Sequence, residues 1–163
     1  MKPMRNFLAR GVVALVDAGR MLQGLQMRLT ADEVKDGMEH FEPYGFTSNP
    51  HPGAEGLAAF LNGDRSHGVV ICVSDRRFRL QGLKSGEVAL HTDEGDVLHF
   101  KRGRVIEVQT ATFRVKADMA VEFDTPLIST TGRIVSDGDQ IAAGVSTSLH
   151  VHEGSDKKPV KGG

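Results

Sequence analysis

The sequence predicts an all-β protein, and two observations carry this prediction. The 163-residue chain contains 19 glycines, spread along its length, and they separate short apolar runs as turns separate strands. The clearest periodicity lies in FRVKADMAVEFD, where every second residue from Phe113 to Phe123 is apolar and the residues between are charged, except Ala120. Such alternation indicates strands with one buried face and one face in water.

Length and composition limit the function classes. A chain of 163 residues forms one ordinary domain, or a small domain with an appendage. The 20 Lys and Arg residues nearly balance the 21 Asp and Glu residues, so bulk charge favours neither nucleic acid nor an anionic membrane as a partner. In the N-terminal stretch MKPMRNFLARGVVALVDAGRML, Asp17 and Arg20 interrupt the apolar residues, which indicates neither a signal peptide nor a membrane span.

The first half of the chain predicts a small barrel. Residues 10–29 suggest two strands around the turn signal DAG, and the prolines and glycines of residues 36–56 indicate a loop. The next stretch predicts a strand, a turn at NGD, and a buried strand at Val69–Val73 in which Cys72 is an unreactive, buried thiol. Four or five strands in about eighty residues suit a Greek-key barrel such as an OB-fold, and a small sandwich remains the alternative.

The second half consists of short strands with no helix to cover them. Glycine-containing turns separate the strands after Leu80, and the alternating run is followed only by TPLIST, GRIVSDGD and QIAAGVSTSL. The alternating strand needs a partner for its apolar face. Three identical chains wound around a common axis would cover these faces and pair the strand edges. Alternatively, the strands complete the N-terminal barrel or form a second sheet.

The sequence resembles the bacteriophage Mu-type baseplate spike family, the central spikes of contractile phage tails. The resemblance covers roughly residues 10–150, and separate blocks agree in order and spacing: PYGFTSNPHPGAE, GDRSHGVVICVSDRRFRL, LKSGEVALHTDEGD and FDTPLISTTGRIVSDGD. It implies a homotrimer in which an OB-fold domain seats the spike on the tail hub. An intertwined triple-stranded β-helix then tapers to a tip that pierces the host outer membrane when the sheath contracts.

The resemblance also implies a domain organisation and a location. Residues 1–9 would form an arm, residues 10–94 the OB-fold domain, residues 95–149 the trimeric stalk and residues 150–163 a metal-binding apex. The protein would be made in the host cytoplasm and reside in the virion, at the tip of the tail baseplate. Phe113 and Phe123 would belong to the stalk core, and His91 and His99 would be strand residues without a ligand role near the junction of barrel and stalk.

His150 and His152 stand where related spikes carry a His-x-His motif that binds a metal ion. In a strand, two residues separated by one project from the same face, but two imidazoles are too few for a closed site. Three chains on a threefold axis supply six, which suits an octahedral ion. We expect iron(II), one per trimer, because related spikes hold it, and further axial ions such as calcium or chloride would be compatible with the stalk. The alternative is a pair of solvated histidines in a polar tail.

Two other function classes are alternatives to the spike. A cupin-type dioxygenase also uses His-x-His, but Glu153 follows at once and no later histidine exists. No nucleophile–base set is predicted either, since Asp64, Ser66 and His67 suit a hairpin turn, so we expect no enzyme. An OB-fold that binds single-stranded nucleic acid is the alternative function. It needs a basic groove with aromatic platforms, whereas this region has no tryptophan and only Tyr44 as a tyrosine, so we expect no nucleic acid partner.

Overall fold

The computed structural model describes residues 7–30 and 33–151, and within them the protein is built from β-strands. Ten strands and one short 3₁₀ turn occur, and no helix in the described residues is long and apolar enough to cross a membrane. The chain divides into two compact units, the first ending at Arg114 and the second beginning at Val115. The prediction of an all-β protein is confirmed.

Five strands form a closed barrel in the first unit. They are β1 (Leu8–Asp17), β2 (Gly24–Thr30), β3 (Glu33–His40), β4 (Glu55–Phe60) and β5 (Gly68–Ser74). Their order around the barrel is β1-β2-β3-β5-β4, and β4 pairs with β1 to close it. All neighbouring pairs are antiparallel except β3 with β5, which is parallel. The predicted N-terminal barrel is therefore present, and the sandwich alternative is wrong.

The barrel core follows from the alternation of β1, β2 and β4. The turn after β1 is fixed by Asp17, whose carboxylate accepts hydrogen bonds from the Gly19 backbone at 3.2 Å and the Arg20 guanidinium at 2.8 Å. Inward-facing side chains meet in one apolar cluster of Val13, Leu25, Met27, Met38, Ala54, Ala58, Phe60 and Val70, all buried. Burial of such a cluster is the main favourable term in folding a small barrel.

Strand β3 corrects the sequence prediction for residues 36–56, of which only residues 41–54 lie outside strands because β4 begins at Glu55. Met38 and His40 point inward and are 5% and 6% exposed. Two irregularities in the β2–β3 register and a left-handed backbone at Gly37, with φ +60°, interrupt the pairing. Such irregularities hide a strand from a search for alternation.

Cys72 is exposed, so the prediction of a buried thiol is wrong. The reason is a bulge in β5: Leu57 of β4 pairs with Cys72, yet the next residue, Ala58, pairs with Val70. Ile71 is the extra residue, and it shifts the alternation by one. Val70 is fully buried and Val73 packs against the core, while Cys72 faces outward.

A three-stranded antiparallel sheet follows the barrel within the first unit. It consists of β6 (Val88–His91), β7 (Val97–Lys101) and β8 (Val105–Gln109), in the order β6-β7-β8. These are the short strands with glycine-containing turns expected after Leu80. The sheet includes residues on both sides of the boundary predicted between residues 94 and 95, and the functional division of the chain into domains stays a prediction.

Between residues 115 and 151 the second unit contains one small hairpin, β9 (Ile141–Ala142) with β10 (Val145–Ser146). No strand lies between Gln109 and Ile141 in the single chain, so the alternating run from Phe113 to Phe123 has no ladder here. A strand is defined by hydrogen bonds to a neighbour, and this segment has no neighbouring strand among the described residues of its own chain.

Candidate functional site

One face of the β6–β8 sheet is entirely apolar. The register places Val88 opposite Phe100 and Phe100 opposite Ile106, and one step along it places Leu90, Leu98 and Val108 in a second row. Residues directly opposite in an antiparallel sheet share a face. Five of these six side chains are between 43% and 62% exposed. The sheet therefore has a formed ladder and an uncovered apolar face, which we call the apolar sheet face.

Polar and charged side chains hold the sheet together from its other side. Glu87 is a hub: its carboxylate accepts hydrogen bonds from the Lys84 backbone at 2.9 Å, the Arg102 backbone at 3.1 Å and His99 Nε2 at 3.2 Å. The backbone donors, and then His99, hold the pKa of Glu87 below its usual range. His99 thus has a structural partner, and His91 is the last residue of β6. Both are strand residues as predicted, and the absence of a ligand role stays a prediction.

The second unit carries large apolar side chains in contact with solvent. Those from residue 115 to residue 135 are all more than half exposed: Val115, Met119, Val121, Phe123, Leu127, Ile128, Ile134 and Val135. A solvent-exposed set of this size is unusual for a monomeric soluble protein and is typical of an interaction surface. We call residues 115–135 the apolar segment.

His150 follows the hairpin and is the described member of the predicted metal pair. Its ring Nδ1 lies 2.7 Å from the Ser146 carbonyl oxygen, and because a carbonyl can only accept, Nδ1 is the donor of this hydrogen bond. A histidine held through one ring nitrogen by a backbone carbonyl is the usual arrangement in metal sites. Residues 147–149 form a turn rather than the expected strand, and His152 lies outside the described residues.

Asp139 organises the turn that precedes His150. Its Oδ1 accepts hydrogen bonds from the Ser148 hydroxyl at 2.7 Å, the Ser148 backbone at 3.0 Å and the Thr147 hydroxyl at 3.2 Å. The hydroxyl groups of Ser146 and Ser148 are the main cause of a lowered pKa at Asp139. The sequence does not predict this role, because Asp139 and Ser148 are nine residues apart and meet only once the hairpin has formed.

No group of three or more candidate metal ligands occurs among residues 7–30 and 33–151. One chain therefore contributes at most part of a site from its described residues. The prediction that His150 and His152 bind a metal together is not tested by this arrangement, but the hydrogen bond that orients His150 is compatible with it.

The basic residues of DRRFRL are largely paired with carboxylates. Arg76 donates to Glu55 at 2.8 Å, and Arg77 Nε donates to Asp75 at 2.9 Å. Asp64 accepts a hydrogen bond from the Ser66 hydroxyl at 2.7 Å, which confirms that GDRSHG is a turn. Ion pairing reduces the positive charge that these arginines could offer to a phosphate backbone.

The sequence is similar to a family of phage proteins. The family described as Bacteriophage Mu Gp45, N-terminal, matches residues 10–77, which includes all five barrel strands except the first residues of β1.

Two curated relatives match nearly the whole chain. One is the baseplate puncturing device gp45 of Escherichia phage Mu, 34% identical over 94% of this chain and 87% of the relative. The other is the Mu-like prophage FluMu protein gp45 of Haemophilus influenzae, 32% identical over 96% of this chain and 92% of the relative. The similarity therefore extends through the apolar sheet face, the apolar segment and the hairpin.

Proposed function

Because the chain belongs to the bacteriophage Mu Gp45 family, we propose that it is the central spike of a contractile-tail baseplate. Its relative in Escherichia phage Mu is named a baseplate puncturing device, and the similarity runs through barrel and distal region alike. The protein is located in the virion, at the tail baseplate. The role that we propose is mechanical rather than catalytic: sheath contraction drives the tip through the host outer membrane.

The observation that carries this proposal is the uncovered apolar surface of the single chain. The apolar sheet face has Val88, Phe100 and Ile106 in one row, each at least 43% exposed. In the apolar segment, Met119 is 98% exposed. We infer that two further copies of the chain cover these side chains, because a homotrimer wound around one axis would also provide ladder partners for residues 110–140.

An intertwined stalk suits a protein that must not unfold under load. If residues 95–149 pair with neighbouring chains, no chain can leave without breaking ladders on both sides. The charged side chains that alternate with the apolar ones, such as Arg114, Asp118 and Glu122, would then face water and keep the shaft soluble.

We assign the barrel to the OB-fold and propose that it docks on the tail hub. The order β1-β2-β3-β5-β4, with one parallel pair between β3 and β5, suits the five-stranded Greek-key barrel of that fold. We expect no nucleic acid partner, because Arg76 and Arg77 are engaged by Glu55 and Asp75.

We further propose that His150 and His152 of three chains hold one iron(II) ion at the tip, where calcium or chloride could occupy further axial positions. The fit rests on His150, whose Nδ1 donates to the Ser146 carbonyl, since metal-binding histidines usually donate from the ring nitrogen that does not bind the ion. Neutral imidazoles suit a divalent transition metal. When bound, the ion would cross-link three chain ends, and ends without such a tie are prone to fray.

Size-exclusion chromatography with light scattering tests the assembly. We expect the mass of three 17.6 kDa chains at micromolar concentration. A monomer at this concentration would contradict the spike proposal, because no other copy of the chain would then bury the apolar sheet face and the apolar segment.

Elemental analysis tests the metal. We expect one iron per three chains in the purified protein, and none in the double variant His150→Ala/His152→Ala. Equal iron content in the two proteins would remove the proposed site while leaving the trimer proposal intact.

A further inference from the structure

The hairpin before His150 is a defined structure rather than a loose connection. β9 and β10 pair Ala142 with Val145, and the two residues between them, Ala143 and Gly144, both have left-handed backbones with φ of 49° and 82°. Positive φ at both central positions is the signature of a two-residue hairpin turn that matches strand twist. A backbone–backbone hydrogen bond from Thr147 to the Gln140 carbonyl at 2.9 Å extends the hairpin by one step.

The end of this hairpin is tied down by one carboxylate. Asp139 Oδ1 receives the hydroxyl of Thr147 and both the hydroxyl and the backbone N–H of Ser148. Thr147 also accepts a hydrogen bond from the Gln140 backbone at 3.4 Å. Three donors on one oxygen fix the turn that carries the chain from β10 toward His150.

That turn presents the carbonyl that orients His150. The Leu149 backbone donates to the Ser146 hydroxyl at 2.8 Å, and the His150 backbone donates to the Ser146 carbonyl at 3.3 Å. The same carbonyl accepts the His150 ring Nδ1 at 2.7 Å. Both the backbone N–H and the ring of His150 therefore donate hydrogen bonds to the Ser146 carbonyl. Ser146 directly precedes Thr147 and Ser148, which donate hydrogen bonds to Asp139.

We propose that Asp139 is a positioning residue for metal binding: it locks residues 146–148, and through the Ser146 carbonyl it fixes the tautomer and ring orientation of His150. The inference rests on the metal site proposed above. Asp139 acts through other residues, because the hydrogen bonds of its Oδ1 go to Thr147 and Ser148 and not to His150.

The size of the expected loss in metal affinity follows from the restraint that the His150 ring loses when Asp139 is removed. Partners that orient a metal-bound histidine typically contribute 10-fold to 100-fold in metal affinity. Without Asp139 the turn loses three hydrogen bonds, so the Ser146 carbonyl keeps the restraint of the Thr147–Gln140 backbone bond but loses that of residues 147–148, and the His150 ring is held less firmly in one rotamer. Every chain of a trimer would lose the same restraint, so we expect a loss at the upper end of this range.

The experiment measures iron(II) affinity by chelator competition under anaerobic conditions, using metal-free full-length protein. The variants are Asp139→Ala, Asp139→Asn and, as a matched control, Asp137→Ala. Asp137 makes no hydrogen bond or ion pair within the described part of the chain, and it is exposed. Light scattering and circular dichroism first establish that each variant is assembled and folded. Where Asp139→Ala does not assemble, Ser148→Ala replaces it, since this change removes only one of the donors.

We expect Asp139→Ala to bind iron(II) about 10-fold to 100-fold more weakly, with Asp137→Ala unchanged. Asp139→Asn keeps an oxygen acceptor, so its affinity should lie between that of Asp139→Ala and that of the unaltered protein, which a general loss of stability would not predict. An assembled Asp139→Ala, or Ser148→Ala in its place, that binds iron(II) with unaltered affinity would overturn the inference alone. Equal iron in the unaltered protein and in His150→Ala/His152→Ala would overturn the metal site and this inference together.

Discussion

The barrel and the apolar segment use the same kind of amino-acid pattern and end in opposite environments. In the barrel, Leu25, Met27 and Phe60 are 0% exposed. In the apolar segment, Phe123 is 70% exposed and Met119 is 98% exposed. Both regions alternate apolar with polar residues. This pattern predicts that one face of a strand is buried, but it does not identify the element that packs against that face. The barrel covers its apolar face by closing on itself, whereas the described residues of the chain leave the apolar segment uncovered.

The β6–β8 sheet lies between these extremes and shows that the two requirements are separate. Its ladder is complete within one chain, with paired residues from Val88 to Gln109. Its apolar face is nevertheless uncovered. Backbone hydrogen bonding is therefore satisfied over a longer part of the chain than side-chain burial is, and the uncovered apolar surface begins at the sheet rather than at the apolar segment.

The largest expected effect is in the barrel, where no partner chain can compensate. Phe60→Ala should destabilise the barrel by about 3–5 kcal/mol, because it leaves a cavity in a closed core. Phe60 is fully buried, and the guanidinium of Arg65 lies 4.5 Å from its ring centroid. Urea denaturation, followed by circular dichroism and by hydrogen exchange of β1–β5, measures the loss.

Phe46→Ala is the matched control, because Phe46 is 62% exposed in the loop between β3 and β4. We expect it to change stability by less than about 0.5 kcal/mol. Similar losses for the two phenylalanines would contradict the assignment of Phe60 to a closed barrel core.

A smaller effect is expected from the same substitution in the apolar segment, and its size depends on assembly. If other chains bury Phe123, then Phe123→Ala should cost about 1.5–3 kcal/mol per chain and weaken the trimer. If the side chain is as exposed in solution as it is in the single chain, the change should be nearly neutral. Thermal unfolding and light scattering at several protein concentrations distinguish the two, and stability equal to that of the Phe46→Ala control would argue against a buried stalk.

The parts of the fold that sequence reasoning found are those in which alternation is regular. Strands β1, β2 and β4 and the turn at Asp17 follow from local residues alone. Strand β3 was missed because Gly37 and two register irregularities break its period. Cys72 was placed inside because the bulge at Ile71 is set by pairing with β4 rather than by β5 itself.

The candidate site divides in the same way. His150 could be singled out from its spacing to His152, because the residue types themselves suggest a metal. Asp139 could not, since its role depends on a hairpin that brings it beside Ser148, nine residues later in the sequence. Contacts made across a turn are invisible to a linear pattern unless the turn itself is recognised first.

The smallest expected effect is a pH dependence that belongs to the barrel. Hydrogen bonds from the Arg77 side chain, followed by its backbone N–H, lower the pKa of Asp75 from 3.8 to about 2. Between these two values the unfolded chain binds a proton at Asp75 that the folded chain does not. The stabilisation is therefore fully present above pH 3.8 and is lost as the pH falls toward 2. Asp75→Asn should make the barrel less stable than the unaltered protein at pH 5, and the two should be nearly equally stable at pH 2.

The control is Glu94→Gln. Glu94 is an exposed acid in the β6–β7 turn that makes no hydrogen bond or ion pair with the described residues, so the stability difference between Glu94→Gln and the unaltered protein should not change in this way with pH. Urea denaturation at pH 5, 3 and 2, read by hydrogen exchange in β4 and β5, measures the difference. A constant gap between Asp75→Asn and the unaltered protein across this range would mean that the pair of Asp75 and Arg77 does not stabilise the folded barrel in solution.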